Sequence, residues 1–111
     1  GTHSVGLFSQ GGQAAIIAED IGRHNALDKA IGHCLSHDQP LEDLFAASTG
    51  RISSDMALKC SRAQIPLIVS RGATTSLALA IAEKTGLSIV GFARGRRMNV
   101  YTNSHRIKGL E

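Results

Sequence analysis

The 111-residue chain has no tryptophan, two prolines, two cysteines and few aromatic side chains, namely Phe8, Phe45, Phe92 and Tyr101. Cys34 and Cys60 belong to no CxxC pair and to no other metal-ligand spacing, so a redox or ligand role is the less favoured reading of either. Each falls on the apolar face of a predicted helix and reads as a small buried hydrophobe in a reducing compartment. The longest apolar run, residues 77–82, is far below the roughly 20 residues that span a bilayer, and no signal-peptide pattern opens the sequence, so a soluble protein without a membrane partner is expected. Charge of one sign is also scarce. A net charge of +3 is too small for a polycation that coats nucleic acid, and any basic site must come from local clustering.

What is present is a globular composition, 42% hydrophobic and 19% charged, built on Ala, Ile, Leu and Val. The length suits a single domain, residues 1–111, which buries roughly 65% of its unfolded surface. The sequence opens on Gly1-Thr2 without an initiator methionine and reads as the continuation of something longer.

Residues 2–9 (THSVGLFS) and 13–18 (QAAIIA) are joined by Gln10-Gly11-Gly12 and predict a hairpin. In EDIGRHNALDKAIGHCLSH, Leu27, Ala30, Ile31, Cys34 and Leu35 recur at helical spacing and leave Asp28, Lys29, His33 and His37 outside. Residues 44–48 (LFAAS) form the next strand. Ile52, Met56, Cys60 and Ala63 trace the buried side of a second helix, capped by Ser53 or Ser54 and followed by Pro66. Residues 67–70 (LIVS) are a strand and residues 77–84 a helix stopped by Gly86. Residues 88–94 (SIVGFAR) and 98–102 (MNVYT) are two further strands around Gly95-Arg96-Arg97.

Alternation of continuous apolar strands with helices predicts an α/β fold: a three-layer sandwich, a mixed five-stranded sheet with helices on both faces. The loops that follow parallel strands then share one edge, which gathers residues 49–54, 71–76 and 94–97, with EDIGRHN joining if its strand runs the same way. Each loop carries arginine: Arg23, Arg51, Arg71, Arg94, Arg96 and Arg97. STGRISS and RGATTS combine glycine, hydroxyls and arginine ahead of a helix, which suits a phosphate but equally suits an ordinary helix cap. FARGRR either binds an anion or is a solvated tip that blocks edge pairing. Phe92 is either a stacking face for a base or an inward-facing strand aromatic. His24 reads as a base or ligand, or as a hydrogen-bonded residue in a helix turn capped by Asp20.

Hairpin, helix, strand, helix, strand is also the layout of the zinc-dependent nucleoside deaminases, whose chemistry needs HxE and PCxxC. Here His24 is followed by Asn25 and Ala26, and there is no PCxxC, so zinc and deaminase activity are not expected.

EDIGRHNALDKAIG and the long stretch STGRISSDMALKCSRAQIPLIVSRGATTSLALAIAEKTGLSIVGFARGRRMNVYT resemble the formate dehydrogenase accessory sulfurtransferase family, FdhD, over about residues 2–107. The resemblance implies a cytidine-deaminase-like fold, usually a homodimer, in the cytoplasm. It implies a sulfurtransferase that takes sulfur as a persulfide from a cysteine desulfurase. The sulfur passes to the molybdenum cofactor, as bis(molybdopterin guanine dinucleotide), before insertion into formate dehydrogenase. GDP is the expected mimic. The family's cofactor-contacting segment corresponds to Phe92, Ala93, Arg94, Gly95, Arg96 and Arg97, and His24 and Arg51 complete the candidate cofactor-binding set. The family's sulfur-carrying CxxC would fall before Gly1, so no catalytic residue is expected within the chain. The alternatives are a non-catalytic cofactor-binding chaperone and a zinc-free, deaminase-like nucleotide-binding enzyme.

Overall fold

Leu7, Ala46, Ile68 and Ile89 stand in register on four neighbouring strands, every one fully buried, and this row is the floor of the core. The computed structural model describes residues 3–94 and 97–106, with the side chains of Arg23, His24, Ala93, Arg94 and Arg97 outside that description. In chain order the elements are β1 (His3–Ser9), β2 (Ala14–Asp20), α1 (Arg23–Ser36), β3 (Leu44–Ser48), α2 (Ser54–Arg62), β4 (Leu67–Ser70), α3 (Ser76–Thr85), β5 (Ser88–Arg94) and β6 (Arg97–Thr102). Short 3₁₀ turns lie at Leu41–Asp43 and Ser104–Arg106.

The strands form one sheet in the order β2-β1-β3-β4-β5-β6, parallel across β3, β4 and β5 and antiparallel elsewhere. The expected α/β class with a mixed sheet holds, but the sheet has six strands rather than five, because both terminal hairpins pair into it. The expected placement of helices on both faces is corrected. β1 is antiparallel to both neighbours, so β2 and β3 run the same way. The crossovers β2-α1-β3, β3-α2-β4 and β4-α3-β5 therefore all step in one direction along the sheet. Right-handed crossovers that step one way deliver their helices to one side. Burial agrees: Leu27, Ala30 and Cys34 of α1, Met56 and Cys60 of α2, and Ala78 and Ala82 of α3 join one core with Val5, Leu7, Ala46, Ile68 and Ile89. Each large aliphatic side chain fully buried there contributes about 1.5–3 kcal/mol.

Several helical expectations shift by a residue or a face. Leu35, read as part of the apolar stripe of α1, is 64% exposed, and Leu77 at the start of α3 is 61% exposed. Ile52, read as helical, is fully buried ahead of α2 in a bridge to Thr74. Ser53 is the α2 cap, accepting from Met56 N–H, and Gly86 stops α3 in the left-handed region at φ 81°. Asp20 does not cap α1; the cap position is Gly22, whose N–H donates to the Asp20 carboxylate.

The other sheet face is uncovered by helices among the described residues. Phe8 and Phe45 stack there with centroids 5.6 Å apart. Beside them a shallow cleft of about 290 Å³ runs over Gly6, Ala47 and Val69 towards Arg71.

Candidate functional site

The parallel strands β3 and β4 end alike, in Ser48-Thr49-Gly50 and Ser70-Arg71-Gly72, and these ends sit side by side because Ser48 and Ser70 are paired in register. Thr49 is pinned to β1 by mutual bonds with Ser4, its hydroxyl accepting from Ser4 N–H at 3.1 Å. Past the strands the two loops remain joined: Ile52 N–H donates to Ala73 C=O at 3.0 Å and Thr75 N–H to Ile52 C=O at 3.1 Å. Gly72 lies so close to the first loop that a Cβ there would stand 3.4 Å from the Arg51 backbone nitrogen.

β5 closes the third side. Phe92 N–H donates to Gly72 C=O at 3.0 Å, and the β5-β6 ladder loses its register between Gly91 and Arg94. Phe92 has φ 52°, a left-handed conformation that a bulky aromatic rarely adopts, and the residue is 45% exposed. Phe92 is not the inward-facing strand aromatic of the sequence reading. Arg94 and Arg97 face each other in the ladder and bring the hairpin back to the same edge. Gly95 and Arg96 lie outside the described residues, as do the side chains of Ala93, Arg94 and Arg97.

Three adjacent strand ends at about 4.8 Å spacing thus place the loops after β3, β4 and β5 within roughly 10 Å of one another. Arg51 and Arg71 are exposed there, and among the described residues neither is in an ion pair. The expected convergence of loops on one edge is observed. The hydroxyls, read as phosphate donors, also serve the fold as acceptors: Ser53 caps α2, Thr75 caps α3 through Ala78 N–H at 3.1 Å, and Thr49 accepts from Ser4 N–H. Among the described residues of the rim, the cationic groups outside any ion pair are the Arg51 and Arg71 guanidinium groups.

EDIGRHN joins the same edge because β2 runs with β3, but β1 stands between them. His24, at the start of α1, is therefore about two strand spacings, roughly 10 Å, away from the β3 loop, and its side chain lies outside the description. Asp20 on that side is paired with Lys29 at 2.7 Å. The Lys29 hydrogen bond, followed by that from Gly22 N–H, holds its carboxyl below the ordinary carboxylate range.

The two thiols are remote from this rim in chemistry as well as position. Cys34 and Cys60 are both fully buried, and burial pushes the Cys34 thiol up and the Cys60 thiol up to about 12. Among the described residues nothing offsets that burial at either thiol, and neither has an open path to solvent. Among the described residues no cluster of three or more His, Cys, Asp or Glu is placed to hold a metal ion, and no helix is long and apolar enough to cross a membrane. A cavity of about 730 Å³ opens at the opposite edge, lined by Glu42 and Asp43 as well as Arg106.

Comparison with known proteins bears on this geometry. The family model described as FdhD/NarQ matches residues 1–108. The chain belongs to the FdhD/NarQ family. It is 41% identical over 107 residues to the sulfur carrier protein FdhD of Geobacillus kaustophilus and 43% identical over 108 residues to that of Saccharolobus solfataricus. These matches cover 96% of this chain in each case, but 40% and 42% of the relatives. A crystal structure described as a formate dehydrogenase accessory protein from Desulfotalea psychrophila superposes with a TM-score of 0.87 at 39% identity, covering 96% of this chain and 47% of that one. The chain thus spans about two-fifths of the length of the curated relatives it matches.

Sequence reasoning missed the buried serines beneath the rim, and the signal for them was the repeated Ser-x-Gly at positions 48–50 and 70–72. It also missed the strain at Phe92, which has no signature in a strand-like run.

Proposed function

We propose that this chain is the cofactor-binding body of an FdhD-type sulfur carrier, with its arginine rim facing the phosphates of the molybdenum cofactor's guanine dinucleotide. The single observation that carries the reading is the convergence of the loops after β3, β4 and β5, with Arg51 and Arg71 exposed at their tips and in no ion pair among the described residues, and the Arg94-Arg97 pairing at the same edge. The backbone can approach a phosphate closely at Gly50 and Gly72, and arginine supplies bidentate donors for its oxygens. Phe92, held outward, offers a face for a purine ring, and Gly95, Arg96 and the side chains of Arg94 and Arg97 complete the proposed contact segment. His24 is proposed at the margin of the same site.

The cofactor is the cargo, and the chain's own residues bind and orient it. Sulfur arrives from a cysteine desulfurase and leaves on the cofactor destined for formate dehydrogenase, in the cytoplasm, with the carrier as a homodimer. The persulfide-bearing thiol is not Cys34 or Cys60, because neither is exposed or easily ionised. A second reading is a chaperone that holds the cofactor without transferring sulfur, which a full-length protein lacking the CxxC pair would favour. Persulfide loading by a desulfurase, followed by cyanolysis, separates the two when measured on a protein that includes the segment expected before Gly1.

The test of the rim is calorimetric titration with GDP. Micromolar binding is expected, weakening with salt, and replacement of Arg94, Arg96 and Arg97 together by alanine removes charge-assisted bonds of about 1.5–3 kcal/mol each. Unchanged affinity in that triple variant overturns the assignment.

A further inference from the structure

Beneath the exposed arginines, Ser48 and Ser70 are 5% and 1% exposed at equivalent positions of neighbouring strands, each turning its hydroxyl back to the amide two residues on. Gly50 N–H donates to Ser48 Oγ at 3.2 Å, and Gly72 N–H donates to Ser70 Oγ at 3.0 Å. The likeness ends there. The Ser48 hydroxyl stays within its own loop, whereas Ser70 Oγ–H crosses to the neighbouring loop and donates to Gly50 C=O. Gly72 C=O then accepts from Phe92 N–H.

One hydroxyl therefore sits in a continuous run of hydrogen bonds from Gly50 through Ser70 and Gly72 to Phe92, and Arg51 and Arg71 are the residues next to its two glycines. We propose that Ser70 is a positioning residue for the rim: its hydroxyl sets the Arg51 loop in register with the Arg71 loop and Phe92, so that a nucleoside diphosphate meets them as one preformed surface. The inference rests on the anion-binding reading of the rim and adds the group that organises it. Two guanidinium groups on independently moving loops would each lose conformational freedom on binding, while two held in register lose less. A methyl group at residue 70 keeps the strand but leaves Gly72 N–H, and the Gly50 carbonyl, without this partner.

The test measures GDP affinity by calorimetry in the parent chain, Ser70→Ala, Ser48→Ala, Arg51→Ala and the Ser70→Ala/Arg51→Ala pair, with thermal unfolding of each recorded alongside. Ser70→Ala is expected to lower affinity about tenfold, the scale of one charge-assisted hydrogen bond, and Ser48→Ala much less. Arg51→Ala should cost less in the Ser70→Ala background than in the parent, a coupling that loss of stability alone does not produce. Ser70→Thr, which keeps the hydroxyl, restores binding. If Ser70→Ala fails to fold, Ser70→Cys takes its place in the same cycle, since a thiol fills the site but donates weakly. Parent-like affinity with an undiminished Arg51 effect, or equal losses in Ser48→Ala and Ser70→Ala, overturns the positioning role while leaving the rim intact. A parent chain that does not bind GDP overturns the rim and the role together.

Discussion

The burial of both thiols makes a sharp chemical prediction. An ordinary thiol with a pKa of 9.0 is about one-tenth ionised at pH 8, and one raised to about 12, as at Cys60, is ionised in about one molecule in ten thousand. Ionisation alone thus slows attack on a disulfide reagent by about a thousandfold. Access slows it further, because both sulfurs are fully buried and must wait for an opening of the core, which in a domain of this kind costs several kcal/mol. Mixing the native chain with an aromatic disulfide at pH 8 should therefore release almost no thiolate over minutes, while denaturing guanidinium chloride should release two equivalents per chain at once. Native labelling at the rate of a small-molecule thiol would refute the argument. It would also readmit Cys34 or Cys60 as a carrier of persulfide sulfur. The outcome bears directly on which part of an FdhD-type protein holds the sulfur.

Three further outcomes follow from the packing. A Cβ at Gly91 would stand 2.8 Å from Tyr101 Cε2 and 3.3 Å from Gly72 C=O, so Gly91→Ala should cost about 1–3 kcal/mol in urea unfolding and disturb the Phe92 turn that leans on Gly72. Thr75→Ala removes the α3 cap and should cost about 1 kcal/mol by the same measurement, with Thr75→Ser restoring most of it. Asp20 titrates lower in the fold than its ordinary value of 3.8, so its stabilising contribution is complete above that pH and is lost as pH falls through the depressed folded value. Asp20→Asn should therefore flatten the acid limb of the stability curve and leave the neutral-to-basic limb unchanged in shape.

Strand and helix identities were legible because they rest on local pattern. The runs at residues 44–47, 67–69 and 89–93 within β3, β4 and β5 are apolar, and Gly86 and Ser53 carry their stop and start signals in their own chemistry. Exposure was less legible. Leu35 fits the apolar stripe of α1 yet faces solvent, since a stripe drawn from spacing does not say where the neighbouring element ends. The candidate site divides in the same way. Arg51, Arg71, Arg94 and Arg97 could be assigned to one edge from strand order, but the engagement of Thr49, Ser53 and Thr75 within the fold depends on partners 3 to 45 residues away.

The sequence by itself determined the α/β alternation, the identity of the strands and the placing of arginines just beyond strand ends, because hydrophobic period and turn chemistry are properties of neighbouring residues. Tertiary structure alone decided that all three helices share one face, that Phe92 turns outward against Gly72, and that Ser70 ties two loops together. Those features depend on the direction in which successive crossovers step and on backbone groups brought within hydrogen-bonding distance only when the sheet is assembled.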